Sequence, residues 1–240
     1  MVSKSQIKLI GSLQQKKFRM ANGLFIAEGV KIIGELIGAG FVLDHLYLTD
    51  DLFRQVPQAK KTLISESELK KISALTTANN CLAVFEIPSE KPIDQKGLLV
   101  ALDDIRDPGN LGTIVRLCDW FGITQLVCSN ETADLYNPKV VQATMGSMAR
   151  VNVSYVDLPD FLSKANLPVF GTFMDGKNIY SEKLPSDGII VLGNEANGIS
   201  SSVEKFCTER IAIPRFGNLQ LTESLNVATA AAIVLSEFRR

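Results

Sequence analysis

The sequence has little histidine, tryptophan or cysteine and no excess of either charge. In 240 residues there is one histidine, one tryptophan and four cysteines. A single histidine leaves one position around which a Ser–His or Cys–His pair could be built. That residue, His45, lies in the apolar alternation Phe41–Leu48, which reads as a structural strand. Cys81, Cys118, Cys128 and Cys207 form no C-x-x-C and sit among apolar neighbours. They read as buried free thiols, which argues against a disulfide framework or a zinc site, and no metal is expected. Lys and Arg number 25 against 26 Asp and Glu, a net charge of −1. Bulk charge therefore gives no argument for a nucleic-acid or membrane partner, and a polyanion must be met by a local patch. No run of apolar residues is long enough to cross a membrane and the first residues lack a signal-peptide pattern, so the expected location is the cytoplasm.

A hydrophobic content of 46% and a charged content of 21% belong to a folded globular chain. Two blocks differ in texture. The seam is Ile87–Lys96, IPSEKPIDQK, with two prolines and four charges, and it reads as a linker over residues 89–96. Residues 1–88 alternate helix-like and strand-like pieces: a basic helix near Ser5–Phe18, a strand at Phe25–Gly29, a helix through Leu36, strands at Val42–Leu48 and Cys81–Phe85, and a helix at Glu66–Ser73. This is a small α/β layer unit. Residues 97–240 carry short unalternating apolar runs at Gly97–Leu102, Gln125–Cys128, Val169–Thr172, Ile189–Leu192 and Arg210–Ile213. Strands covered on both faces have that pattern, so a mainly parallel sheet with helices on either side is expected.

A basic patch survives the neutral total. Within residues 1–34, Lys4, Lys8, Lys16, Lys17, Arg19 and Lys31 face only Glu28, a local charge of +5. It reads either as a solvated helix face or as a surface for a polyanion.

Three clusters of the second block place glycine and polar side chains just past a buried strand, where open α/β sheets bind ligands. The first is Leu99–Ile123, in which Asp107-Pro108-Gly109-Asn110 is turn chemistry and Asn110 a credible N-cap. Arg116 falls about 140° from Leu111 around the helix that follows, away from the apolar stripe. The second is Ile189–Ser200, IIVLGNEANGIS, a strand and a Gly-bracketed loop that fits neither a nucleoside-triphosphate nor a dinucleotide fingerprint. Gly193 and Gly198 let main-chain groups approach a ligand closely. Glu195 reads equally as a surface carboxylate or as a buried acceptor. The third cluster closes the chain, with Ser224 and Asn226 at the entrance of a helix rich in alanine. On its own Ser224 reads as a cap.

In this order, DPGNLGTIVR, LGNEANGIS and IPR…ESLNVATAAAI resemble the three motifs of the SpoU/TrmH family of RNA ribose methyltransferases, part of the SPOUT class. Asn137–Val151 resembles the segment between the first two, and Lys16–Leu36 resembles the opening of the family's RNA-binding N-terminal domain. The resemblance implies an α/β fold with a mainly parallel sheet and a C-terminal deep trefoil knot, preceded by a small α/β domain. It implies S-adenosylmethionine as cofactor, held by Gly193, Ile213 and Leu225, and polar active-site positions at Asn110, Arg116, Glu195, Ser224 and Asn226. It also implies a homodimer and an RNA substrate, ribosomal or transfer, methylated at a ribose 2′-hydroxyl. Two departures stand out: the nine residues 215–223 form a longer insert than many relatives carry, and Thr144-Met145-Gly146-Ser147 replaces a more frequent Ser-x-Gly-Ala. The alternative is a catalytically silent RNA-binding protein of the same fold, acting in ribosome or tRNA assembly.

Overall fold

The computed structural model describes residues 2–217 and 224–240. The chain forms two compact units, one of residues 1–89 with 134–149, the other of residues 90–133 with 150–240.

In the first unit, helices α1 (Lys4–Ser12) and α2 (Lys16–Asn22) precede strand β1 (Leu24–Glu28), followed by α3 (Val30–Gly38), β2 (Leu43–Leu48), β3 (Lys61–Leu63), α4 (Glu66–Ile72) and β4 (Cys81–Glu86). The four strands run in the order β1-β4-β2-β3, with β4 antiparallel to both neighbours and β3 parallel to β2. Ile10, Leu13, Ile26, Leu69, Ile72 and Leu82 form one core, and Phe25 stacks on Phe85 at 5.7 Å between centroids.

The single basic helix expected near Ser5–Phe18 is two helices, because the chain turns at Leu13 and so points Arg19 inward. Arg19 is 1% exposed, donates from Nη1 to the Leu13 carbonyl at 2.8 Å and from Nε to Asp134 Oδ2 at 3.0 Å. A buried guanidinium needs such partners, since an uncompensated charge in the interior is very costly. Arg19 is thus structural rather than part of a surface patch. The helix Pro138–Thr144, sixth in chain order (α6), lies in this unit and packs against β1. His45 is half-buried and its Nε2 hydrogen-bonds Thr62 Oγ1 at 2.8 Å, a structural setting.

The second unit holds β5 (Leu98–Asp103), α5 (Pro108–Trp120), β6 (Gln125–Ser129), β7 (Asn152–Val156), α7 (Leu158–Ser163), β8 (Val169–Asn178), β9 (Gly188–Gly193), α8 (Ser201–Glu204), β10 (Glu209–Ala212) and α9 (Val227–Phe238). Six strands in the order β10-β8-β9-β5-β6-β7 are parallel throughout, as their unalternating apolar composition predicts. Every residue of β5 is buried. The N-cap of α5 is Asp107, whose side chain accepts from the Asn110 N–H at 2.8 Å, so Asn110 stands inside the first turn rather than capping it. Leu111, Ile114, Val115 and Cys118 bury the inner stripe of α5, while Arg116 and Trp120 lie on its exposed side. Helix α9 packs on α5, and Arg239 closes the end of α5 through the carbonyls of Phe121 at 2.9 Å and Gly122 at 3.2 Å.

Strand β8 runs past the expected Thr172. Its pairing with β10 jumps from Gly171 opposite Arg210 to Lys177 opposite Ile211, so the intervening residues bow out of the ladder. Gly176 permits this, because a Cβ there would meet the Ile211 main-chain carbon at 2.5 Å.

Candidate active site

Strand β8, the ends of β9 and β10 and the start of α9 meet around one cleft of about 1090 Å³. Its walls include Leu192 to Gly198, Ile211 to Phe216, Ser224, Leu225 and Val227, with Phe173 and Met174 from the bowed part of β8. Gly193, Ile213 and Leu225 therefore share one cavity with Glu195 and Ser224. Asn110, Arg116 and Asn226 are not among its lining residues.

Close approach of main chain shapes this cleft. A Cβ at Gly193 would collide with the backbone of Gly198 and Ile199, and Gly198 has φ +68°, a conformation side chains resist. The loop between them is closed on itself: Asn194 N–H donates to the Gly198 carbonyl at 3.0 Å, and the return bond is 2.8 Å. Asn194 Oδ1 also accepts from the N–H groups of Ala196 at 2.9 Å and Asn197 at 3.2 Å.

At one side of the cleft a hydrogen-bonded chain crosses three elements. Asn226 caps α9 by accepting from the N–H groups of Ala228 and Thr229, and it donates from Nδ2 to Asn110 Oδ1 at 2.9 Å. Asn110 donates in turn to Glu195 Oε1 at 2.7 Å. The network fixes both amide orientations. Asn226, not Ser224, is the cap, and Ser224 is exposed beside the cleft. Glu195 is half-buried and engages Asn110 rather than Arg116. Arg116 is exposed, and no described residue pairs with it.

Behind the cleft-lining Phe173, Arg210 sits 3.6 Å from the centre of the ring and pairs with Asp175 at 2.6 Å and Glu204 at 2.5 Å. The Arg210 contact holds the Asp175 carboxyl below the usual carboxylate range. This clamp orients Phe173 toward the cleft and carries no motif signal, so nothing in the sequence singles it out. Among the described residues, no group of His, Cys, Asp and Glu could hold a metal ion, and no helix is long and apolar enough to cross a membrane.

A parallel α/β sheet with a mixed apolar and main-chain-lined cleft at its carboxyl edge defines a binding protein for a nucleotide-sized ligand. Residues 97–236 match the model of the SpoU rRNA Methylase family, and residues 4–83 match the MRM3-like substrate binding domain. The chain belongs to the SpoU rRNA methylase family. It is 28% identical over 236 residues to the 23S rRNA (guanosine(2553)-2′-O)-methyltransferase RlmP of Bacillus subtilis, covering 95% of this chain and 93% of that one. Among solved structures, a TrmH-family protein from Porphyromonas gingivalis is 40% identical with a TM-score of 0.91, over 100% of this chain and 98% of that one. An AdoMet-bound rRNA methyltransferase from Sinorhizobium meliloti is 27% identical with a TM-score of 0.87, over 100% and 96%.

Proposed function

We infer that the protein is an S-adenosylmethionine-dependent methyltransferase acting on a ribose 2′-hydroxyl of RNA, with ribosomal RNA favoured by the names of its relatives. The observation that carries the reading is the convergence of Gly193, Ile213 and Leu225 on the same cleft as Glu195 and Ser224. The cleft suits the cofactor: Gly193 has no room for a Cβ, so main chain lines the cleft there, and Leu192, Ile213, Leu225 and Val227 supply apolar surface for an adenosine. When bound, S-adenosylmethionine supplies an electrophilic sulfonium methyl group.

The chain's own residues then have to align a hydroxyl and manage its proton, because positioning carries much of the rate in such a transfer. Guanidinium stays protonated, so Arg116 acts by stabilising the forming alkoxide or binding the adjacent phosphate. Its exposure and lack of a described partner suit that role. The proton leaves to water, either directly or by relay through Ser224, whose Oγ takes it up while giving its own proton to water. Glu195 and Asn226 hold Asn110 between them at 2.7 and 2.9 Å, fixing the polar edge against which the ribose aligns.

The RNA is met first by the N-terminal unit. Lys4, Lys8, Lys16, Lys17 and Lys31 are exposed, whereas Arg19 and Glu28 are both buried, so within residues 1–34 the exposed charged side chains are all lysines. Two further features follow the family pattern. A trefoil knot is supported by the path of the chain, which leaves β10 at one edge of the sheet and returns as α9 against α5 and β9. Residues 218–223 of that path lie outside the described set, as does most of the 215–223 insert. A homodimer is supported by Trp120, an indole 83% exposed on the outer side of α5. The reading places the enzyme in the cytoplasm with the RNA it modifies.

The test is transfer of a tritiated methyl group from S-adenosylmethionine to total RNA from cells lacking the protein, followed by mapping of ribose methylation. Label in one RNA species at a 2′-hydroxyl is expected. Binding of cofactor and RNA without transfer would instead identify the silent RNA-binding alternative.

A further inference from the structure

We propose that the consecutive aspartates Asp103 and Asp104 are positioning residues that clamp the two ends of the Gly193–Ser200 loop and so hold Glu195 against Asn110. The proposal rests on the methyltransferase reading of the cleft. Asp103 is the last residue of β5 and pairs in the sheet with Gly193, where the loop begins. It is buried, and its Oδ2 accepts from the Ser200 N–H at 2.7 Å, where the loop ends. Asp104 leaves the strand with φ +59°, in the left-handed region. That turn aims its carbonyl at Asn194 Nδ2, 2.7 Å away, with the Asp104 carboxylate a second acceptor at 3.3 Å.

Left-handed backbone at a residue other than glycine persists only where its surroundings over-determine it. Here they do. The Asp104 N–H donates to Ser129 Oγ at 3.0 Å, and its Oδ1 accepts from Arg106 Nε at 2.7 Å. One residue thus ties together the ends of β5 and β6 and the start of the loop. Between the two anchors the Asn194–Gly198 pairing makes the loop a closed unit, so fixing both ends fixes Glu195 within it.

Amide hydrogen exchange on the full chain, without cofactor, reads the clamp directly at Ala196, Asn197, Gly198 and Ser200. Asp103→Ala and Asp104→Ala should each accelerate exchange there by about tenfold while leaving amides in the middle of β5 and β6 protected. Calorimetric binding of S-adenosylmethionine should weaken in parallel. Asp103→Asn keeps an oxygen for Ser200, and Asp104→Asn keeps a side-chain oxygen and a tolerance for left-handed backbone that Asp104→Ala loses, so each should stay within about threefold of the unaltered protein. Unchanged loop exchange in both alanine variants overturns the clamp, as does equal loss in the asparagine variants. If one alanine variant does not fold, the other pair decides. An unaltered protein that binds no S-adenosylmethionine overturns the methyltransferase reading instead, while the exchange data still judge the clamp.

Discussion

Asn226 donates from Nδ2 to Asn110 Oδ1 at 2.9 Å while its own oxygen caps α9. One side chain thereby starts a helix and orients the Asn110 amide. Asn226→Ala should cost about 1 kcal/mol of stability as a lost cap. Methyl transfer should fall by much more, about 100-fold, since Asn110 loses the partner that sets its orientation. Asn226→Asp keeps the cap, so thermal melting should recover while kcat stays low. Melting curves and single-turnover kinetics on the two variants separate these effects.

Arg116 is exposed and unpaired among the described residues, so its removal leaves no buried group unsatisfied. Arg116→Ala should change stability by no more than about 0.5 kcal/mol. The methyl-transfer rate should drop by roughly 100- to 1000-fold with cofactor affinity unchanged. Arg116→Lys should rescue little, because a point charge does not reproduce a planar fork. Calorimetry with S-adenosylmethionine beside initial-rate measurements checks both halves.

The lysine surface makes a prediction about salt. Neutralising Lys16 and Lys17 should weaken RNA binding across sequences and lower the slope of log affinity against log salt by about 1 for each phosphate no longer neutralised. Cofactor binding should not move. Replacing Arg19 instead should unfold the N-terminal unit, since its guanidinium is buried with Asp134. Filter binding at several salt concentrations distinguishes the outcomes.

Burial raises the Glu28 carboxyl above its ordinary 4.5, against the lowering effect of bonds from Ser73 Oγ at 2.6 Å and the Ala74 N–H at 2.8 Å. A carboxyl whose pKa is higher in the folded than in the unfolded chain binds its proton more tightly when folded. Its stabilising contribution is therefore complete below the ordinary value and is lost as pH rises through the folded one. Stability of the unaltered protein relative to Glu28→Gln should decline as pH climbs from 4.5 through the window just above it. Denaturant titrations across that range test the sign.

Local signals make much of this legible. Buried parallel strands betray themselves by unbroken apolar runs, and β5, β6 and β9 fall where the sequence predicts them. The segments that resemble family motifs supply Gly193, Ile213 and Leu225, which the structure brings into one cleft. The caps expected at Asn110 and Ser224 fall elsewhere, because several capping residues stand close together and only three-dimensional hydrogen bonding chooses Asp107 and Asn226. Strand β7 escapes the apolar-run criterion, since it lies at the sheet edge and none of its residues is fully buried. The inward turn of Arg19, the bowed stretch of β8 and the Arg210 clamp depend on partners distant in sequence, which no window of periodicity contains.

The pairing of Arg19 with Asp134 bears on how the gene could be divided. A fragment ending at the proline-rich seam keeps the arginine but discards its counter-ion, together with the Tyr136 ring that lies 4.9 Å from Phe25. The amino-terminal piece is therefore not excisable by one cut: expressed alone it would carry an orphaned cation in its interior, and it would need residues 134–149 grafted back to become a self-sufficient module.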